Sequence, residues 1–142
     1  MRRIRIFLIL CVIATGFCFG QLPHTFTQYT SEDGLSQNTI MSILQDDKGV
    51  MWFATWDGLY KFDGYTFNNY KAHPGDSIGL SNNRLDNIKE DRYGYIWVQS
   101  YNHQVYRFNP RLERFQAIPY DNYLSLDMYV LPCGDVWIIT VQ

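Results

Sequence analysis

With 142 residues, 12 basic against 14 acidic side chains and a formal charge of −2, the chain is one domain's worth of sequence. It lacks the cationic surplus that nucleic-acid binding needs. Aromatic residues make up 17%, and no helical periodicity follows the first 20 residues; this excludes a helical bundle and favours strands, whose half-buried surface aromatic residues cover well.

The N-terminus comes first. Met1-Arg2-Arg3-Ile4-Arg5 is positively charged, Ile6 to Phe19 is almost wholly apolar, and small Gly20 precedes Gln21. This is the layout of a cleaved export signal over residues 1–20. The apolar run is shorter than the roughly 18 residues a membrane helix needs, and bulky Phe17 before Cys18 spoils a lipoprotein site. Removing this segment takes away Arg2, Arg3 and Arg5 and no acid, leaving nine basic against fourteen acidic residues, a formal charge of −5. The mature chain is expected to be periplasmic, with no membrane span. Cys133 is then the one remaining cysteine, expected to be a buried, inert thiol without a disulfide partner.

The rest, residues 21–142, is written in repeats. Asp46-Asp47-Lys48-Gly49-Val50-Met51-Trp52 returns as Asp91-Arg92-Tyr93-Gly94-Tyr95-Ile96-Trp97 and, weakened, as Cys133-Gly134-Asp135-Val136-Trp137. The Gly-x-x-Trp steps lie 45 and then 40 residues apart, a period that points to propeller blades. Within the first unit four strand-like runs stand out: Thr39 to Gln45, Met51 to Thr55, Leu59 to Phe62 and Tyr65 to Tyr70. They are separated by Asp47-Lys48-Gly49, Trp56-Asp57-Gly58 and Asp63-Gly64, which carry hairpin chemistry. The second unit repeats Gly34-Leu35-Ser36 as Gly79-Leu80-Ser81 and Leu59-Tyr60-Lys61-Phe62 as Val105-Tyr106-Arg107-Phe108. One extra residue falls near Tyr101 to Gln104. The third offers Ser125 to Leu131 and Val136 to Val141. Thr25 to Thr30 reads as a further lone strand.

The spacing therefore predicts an all-β, incomplete β-propeller of four-stranded antiparallel blades: blade 1 about 35–70, blade 2 about 80–118 and a partial blade 3 about 124–142. Closed propellers use typically four to eight blades. Four units of this length need about 180 residues, against the 122 left after export. The expectation is an N-terminal piece of a longer protein, whose remaining blades are its natural partners, or the product of a truncated gene; a ring formed by several copies is the third alternative.

No residue pattern calls for a cofactor. Asp46, Gly49, Trp52, Asp91, Gly94, Trp97, Gly134 and Trp137 read as architecture: Asp receives turn N–H groups, Gly takes the left-handed position and Trp packs between blades. The alternating acidic spacing of a calcium loop is missing, and His24, His73 and His103 are too scattered for zinc. In a meander, the loop entering the first strand and the loop joining the second and third open on one face, opposite the Asp turns. That face carries Gln37, Asn38, Trp56, Asp57, Asn83, Arg84, Tyr101 and His103, flat aromatics beside amide and guanidinium donors suited to sugar rings and carboxylates. Asn38, Trp56, Asp57, Asn83, Arg84, Tyr101 and His103 are the candidate ligand-binding residues. A propeller hydrolase or lyase is the alternative, but it needs convergent carboxylates there, and Asp57 stands alone. A plain interaction propeller would carry a Gly-His…Trp-Asp pattern, which is missing.

The run from Tyr29-Thr30 through Asp33-Gly34-Leu35-Ser36, Asn38 to Asp46, Gly49 to Thr55, Gly58 to Gly64 and Phe67 resembles the two-component regulator propeller repeat. It is similar in particular to the start of the periplasmic sensor of hybrid two-component system histidine kinases of Bacteroides-like bacteria. The likeness covers roughly residues 26–140. It implies a parent with two seven-bladed propellers, an immunoglobulin-like domain, a membrane helix and cytoplasmic kinase, receiver and DNA-binding domains, working as a homodimer. It further implies sensing of oligosaccharides and control of polysaccharide utilisation, with no catalysis in this piece.

Overall fold

The computed structural model describes residues 25–36, 38–73, 75, 79–119 and 124–141. The expected export segment and Gln37 lie outside them. Strands β1 (Ile40–Gln45), β2 (Met51–Thr55), β3 (Gly58–Phe62) and β4 (Phe67–Tyr70) form one antiparallel meander. A second is built from β5 (Leu85–Glu90), β6 (Ile96–Ser100), β7 (Val105–Asn109) and β8 (Arg114–Ala117). Two strands, β9 (Leu124–Val130) and β10 (Val136–Val141), form a third sheet. Innermost strands neighbour one another, β1 beside β5 and β5 beside β9. The fold is an incomplete β-propeller: two four-stranded blades and two strands of a third.

The core lies between the first two blades. Trp52, Ala54 and Leu59 of the first meet Leu85, Ile88, Ile96, Val98 and Phe108 of the second, all essentially closed to solvent. The Trp52 and Phe108 rings meet edge to face at 5.6 Å, with Tyr70 4.8 Å from Phe108. Burial of apolar surface at this seam drives blade-on-blade stacking, each large side chain contributing about 1.5–3 kcal/mol. Neither sheet could cover that face alone.

Two features recur beyond the strands. Each inner strand carries a bulge, at Met41, Asp86 and Leu126 respectively, where the register steps by one residue. The repeated Gly-Leu-Ser pins the loop entering each blade: Leu35 and Leu80 are buried, and the Ser36 and Ser81 hydroxyls meet the phenol oxygens of buried Tyr60 and Tyr106.

Four expectations need correction. Residues 25–30 are not a strand: the backbone is irregular and leads into a 3-10 turn, Ser31–Asp33. Local bonding wins there, because Thr30 caps the turn and the Asp33 carboxylate accepts the Thr30 N–H at 2.7 Å. Tyr29 nevertheless packs on the outside of blade 1, its ring 4.9 Å from Phe62. The fourth strand starts at Phe67 rather than Tyr65, since Asp63 Oδ1 captures the N–H groups of Tyr65 and Thr66, both at 2.9 Å. β9 stops at Val130, leaving Leu131 to open the following turn. Cys133 is exposed, in that turn, with its thiol donating to Asp135 at 3.3 Å.

Candidate functional site

The two ends of the blades differ in chemistry. At one end lie the β1–β2 and β5–β6 turns. Asp46 Oδ1 accepts the N–H groups of Lys48 and Val50 at 3.0 and 2.9 Å, while its Oδ2 accepts the Trp52 indole N–H at 2.9 Å. Asp91 makes the same three bonds to Tyr93, Tyr95 and Trp97 at 2.9, 3.1 and 2.8 Å. Gly49, Gly94 and Gly134 all have φ between 79° and 97°, a left-handed backbone that glycine adopts without strain. In the third turn Leu131 stands where the aspartate would be; backbone bonds of 2.8 Å still close the turn, but Trp137 is 65% exposed. Both oxygens of each carboxylate are thus bonded within its own turn. Glu90 links the two turns by accepting the Asp47 N–H at 3.0 Å. Burial raises its carboxyl above the ordinary value, the Asp47 hydrogen bond opposes this, and the nearby charges of Asp47, Asp46 and Asp91 add to the rise.

At the opposite end the candidate residues come from two blades and meet across the seam. Hydrogen bonds fix the backbone there: Gly58 N–H donates to Asn83 O at 2.8 Å, and Tyr101 N–H to Arg84 O at 2.9 Å. The Arg84 N–H donates to Asn82 Oδ1 at 2.9 Å. Arg84 Cζ consequently sits 4.3 Å from the Trp56 ring centroid and 3.8 Å from that of Tyr101. Trp56 is on the two-residue β2–β3 loop and Tyr101 on the longer β6–β7 loop, so each neighbouring blade supplies one ring. The rings are 43% and 52% exposed. Arg84 Nε is buried without a hydrogen-bond partner among the described residues, which costs about 1–3 kcal/mol of unreturned desolvation.

The other candidates hold the frame. Asn83 Oδ1 accepts the Ala72 N–H at 2.6 Å. His103, at φ 65°, ties blade 2 to blade 3: its Nδ1 lies 2.8 Å from Ser125 O, and its own carbonyl accepts the Ser125 hydroxyl. Asn38 is exposed at the entry to β1. Asp57 accepts from Ser36 at 2.6 Å and Lys71 at 2.5 Å, with the Tyr60 hydroxyl at 3.3 Å. Burial pushes the Asp57 carboxyl up, but the bonds from Lys71 and Ser36, the Lys71 charge and the Tyr60 bond outweigh it and hold it below the ordinary 3.8. The same pairing raises Lys71. Ser36 and Tyr60 escaped the reading of single motifs, although their recurrence as Ser81 and Tyr106 at nearly one offset was the available signal.

Two clefts lie away from the candidate residues. A cleft of about 310 Å³ runs between the outer strands, past Tyr70, Lys71, His73 and Glu113, and another crosses the Asp-turn end between Glu90, Arg92 and Arg111. Both are partly open to solvent. Among the described residues no group of three or more His, Cys, Asp or Glu could hold a metal ion, and no helix is long and apolar enough to cross a membrane.

Residues 34–57, from the Gly-Leu-Ser loop through the Asp turn to Trp56-Asp57, match the family model described as "Two component regulator propeller". The matched stretch covers β1, β2 and the loops on either side of them in the first blade. A 56-residue stretch is 48% identical to Histidine kinase P4 of Formosa agariphila, covering 39% of this chain and 4% of that protein. Among solved structures, the extracellular domain of the hybrid two component system BT3049 from B. thetaiotaomicron superposes with a TM-score of 0.67 at 24% identity, over 82% of this chain and 18% of that one. PorZ, a surface component of the type-IX secretion system of Porphyromonas gingivalis, gives 0.53 at 19% identity over 72% and 15%. These two likenesses establish the fold. The match spans 4% of the length of that kinase, and the chain spans 18% and 15% of the two solved structures.

Proposed function

We propose that the chain is the N-terminal part of the periplasmic ligand-sensing propeller of a hybrid two-component sensor kinase. It takes a glycan-derived ligand on the face that carries Trp56, Arg84 and Tyr101, and it performs no catalysis. Residues 1–20 direct export, further blades complete the ring, and the parent is a homodimer that regulates polysaccharide utilisation. The observation that carries this reading is the group of exposed rings around one guanidinium, built jointly by two blades at the end away from the Asp turns. Flat apolar rings with an adjacent directional donor suit a sugar's C–H face and its oxygens. The regulator propeller repeat and the likeness to a histidine kinase and to an extracellular sensor domain supply the context of signalling across a membrane.

Calorimetric titration of the full sensor with an oligosaccharide panel is the direct test. Trp56→Ala, Arg84→Ala and Tyr101→Ala should each weaken binding about tenfold or more, as loss of central aromatic or arginine contacts does. Unchanged affinity in all three variants would remove this face from the sensing site.

A further inference from the structure

We infer that Arg84 is an oxyanion-binding group, and that the ligand of this face carries a carboxylate or sulfate on a ring. The inference rests on the ligand-sensing reading and names the class of ligand.

A guanidinium presents five N–H donors in its own plane and none on its faces. Arg84 Cζ lies over the Trp56 and Tyr101 rings, at 4.3 and 3.8 Å from their centroids. They attract the charge but offer no lone pair in that plane. Two other arginines of the chain provide the contrast. Arg92 and Arg107 each lie over one tyrosine ring, yet each also donates from Nη2 to an oxygen of the chain, Tyr93 Oη at 2.6 Å and Gln116 Oε1 at 2.7 Å. The Arg84 guanidinium makes no such bond among the described residues, and the ion pair found among them joins Lys71 to Asp57. Asp57, next to Trp56 in the chain, is already committed to Ser36 and Lys71. Arg84 is therefore a cation packed against two aromatic rings, with its Nε buried and its donors unmatched among the described residues.

It is also held in place before any ligand arrives. Its N–H and C=O are both bonded, to Asn82 and Tyr101, and the neighbouring Asn83 carbonyl accepts from Gly58. An oxyanion in the guanidinium plane would meet a fixed fork at little ordering cost. The ring bearing that oxyanion could rest its apolar face on the exposed part of Trp56 or Tyr101.

The test follows arginine and tryptophan side-chain N–H resonances of the ¹⁵N-labelled full chain at constant ionic strength. The probes are glucuronate, glucose 6-sulfate and neutral glucose, and the Arg84 signal is assigned from Arg84→Lys. A saturable shift of Arg84 Nε–H and of Trp56 Nε1–H with either anion is expected, with Arg92 and Arg107 unmoved and glucose at least tenfold weaker. The two anions distinguish carboxylate from sulfate. Arg84→Lys, which keeps the charge but loses the planar fork, should bind about tenfold or more weakly. Tyr101→Phe, which keeps the ring, should bind as the parent does. Equal affinity for glucose, no saturable Arg84 shift with either anion, or parallel shifts of all three arginines would overturn the inference. Neutral oligosaccharides that move Trp56 alone would overturn it while leaving the sensing reading intact. Anion binding at Arg84 that leaves kinase output of the full sensor unchanged would keep the site and sink the sensing reading.

Discussion

Asp46 is the sharpest place to test how a blade holds its first turn. Truncation to alanine removes three acceptor contacts. Trp52 is 1% exposed, so its indole N–H, now 2.9 Å from Oδ2, would be left without an acceptor in the core; that alone costs about 1–3 kcal/mol. The N–H groups of Lys48 and Val50 lie nearer solvent, and losing Oδ1 costs about 0.5–1.5 kcal/mol for each. Asp46→Ala should therefore destabilise by about 3 kcal/mol without unfolding the turn, because the third unit closes the same turn with Leu131 at the matching position. Asp46→Asn keeps Oδ1 but sets an amide donor against the indole donor, and should cost about 1–2 kcal/mol. The assay is urea unfolding of wild type, Asp46→Asn, Trp52→Phe and the double variant. Phenylalanine removes the indole N–H, so the asparagine substitution should cost about 1 kcal/mol less in that background. An identical cost of Asp46→Asn in both backgrounds would refute the claim that the carboxylate holds the tryptophan.

Gly58→Ala should cost about 2–4 kcal/mol in thermal melts, since φ is +113° and a Cβ would lie 2.6 Å from the Tyr70 carbonyl oxygen. Gly64→Ala, at φ +100° with nothing within 4 Å, should cost only the backbone strain, about 1–2 kcal/mol; equal losses would mean that the close approach is unimportant. Because the Asp57 carboxyl is held below 3.8, its stabilising pairing is present above that pH and lost as pH falls through the still lower folded value. Lys71, raised above 10.5, gives up its share as pH climbs through its folded value. Lys71→Met should thus be less stable than wild type at pH 7, with the difference shrinking as pH falls below 3.8, and a pH-independent difference in urea midpoints would argue against the pairing. Glu90 has the opposite sign: the folded carboxyl lies above 4.5, so relative stability is present below that pH and lost as pH rises through the folded value. Glu90→Gln, whose amide oxygen can still accept from Asp47, should match wild type at pH 3 and exceed it at pH 7; a lower midpoint at pH 7 would contradict this.

Strand positions were legible because each strand is bounded by Gly or Asp turn chemistry that acts over two or three residues. β2 and β10 match their expected limits, and β1 differs by one residue. Misreadings arose where a side chain competed with the ladder over equally short range: Asp63 delays β4, and the Thr30–Asp33 caps turn an extended-looking run into a 3-10 turn. At the candidate face, strand polarity alone places Trp56, Arg84 and Tyr101 at the same end. It cannot say which donors the frame consumes, because that depends on contacts between residues far apart in sequence. Asn83 reaches Ala72, and His103 reaches Ser125.

The bulges of the inner strands give the repeat a ruler. From Met41 to Trp52, from Asp86 to Trp97 and from Leu126 to Trp137 the distance is 11 residues each time. From each tryptophan to the next bulge it varies, 34 residues and then 29. Length is conserved from blade to blade across the hairpin that faces the propeller axis and relaxed over the outer strands and rim connections, where loop closure costs little. An insertion inside either strand of this span would turn the side chains beyond it to the opposite face, whereas one on the rim only lengthens a loop. Grafting a blade from a longer relative should therefore be cut at the bulge and at the tryptophan, with all slack left outside them.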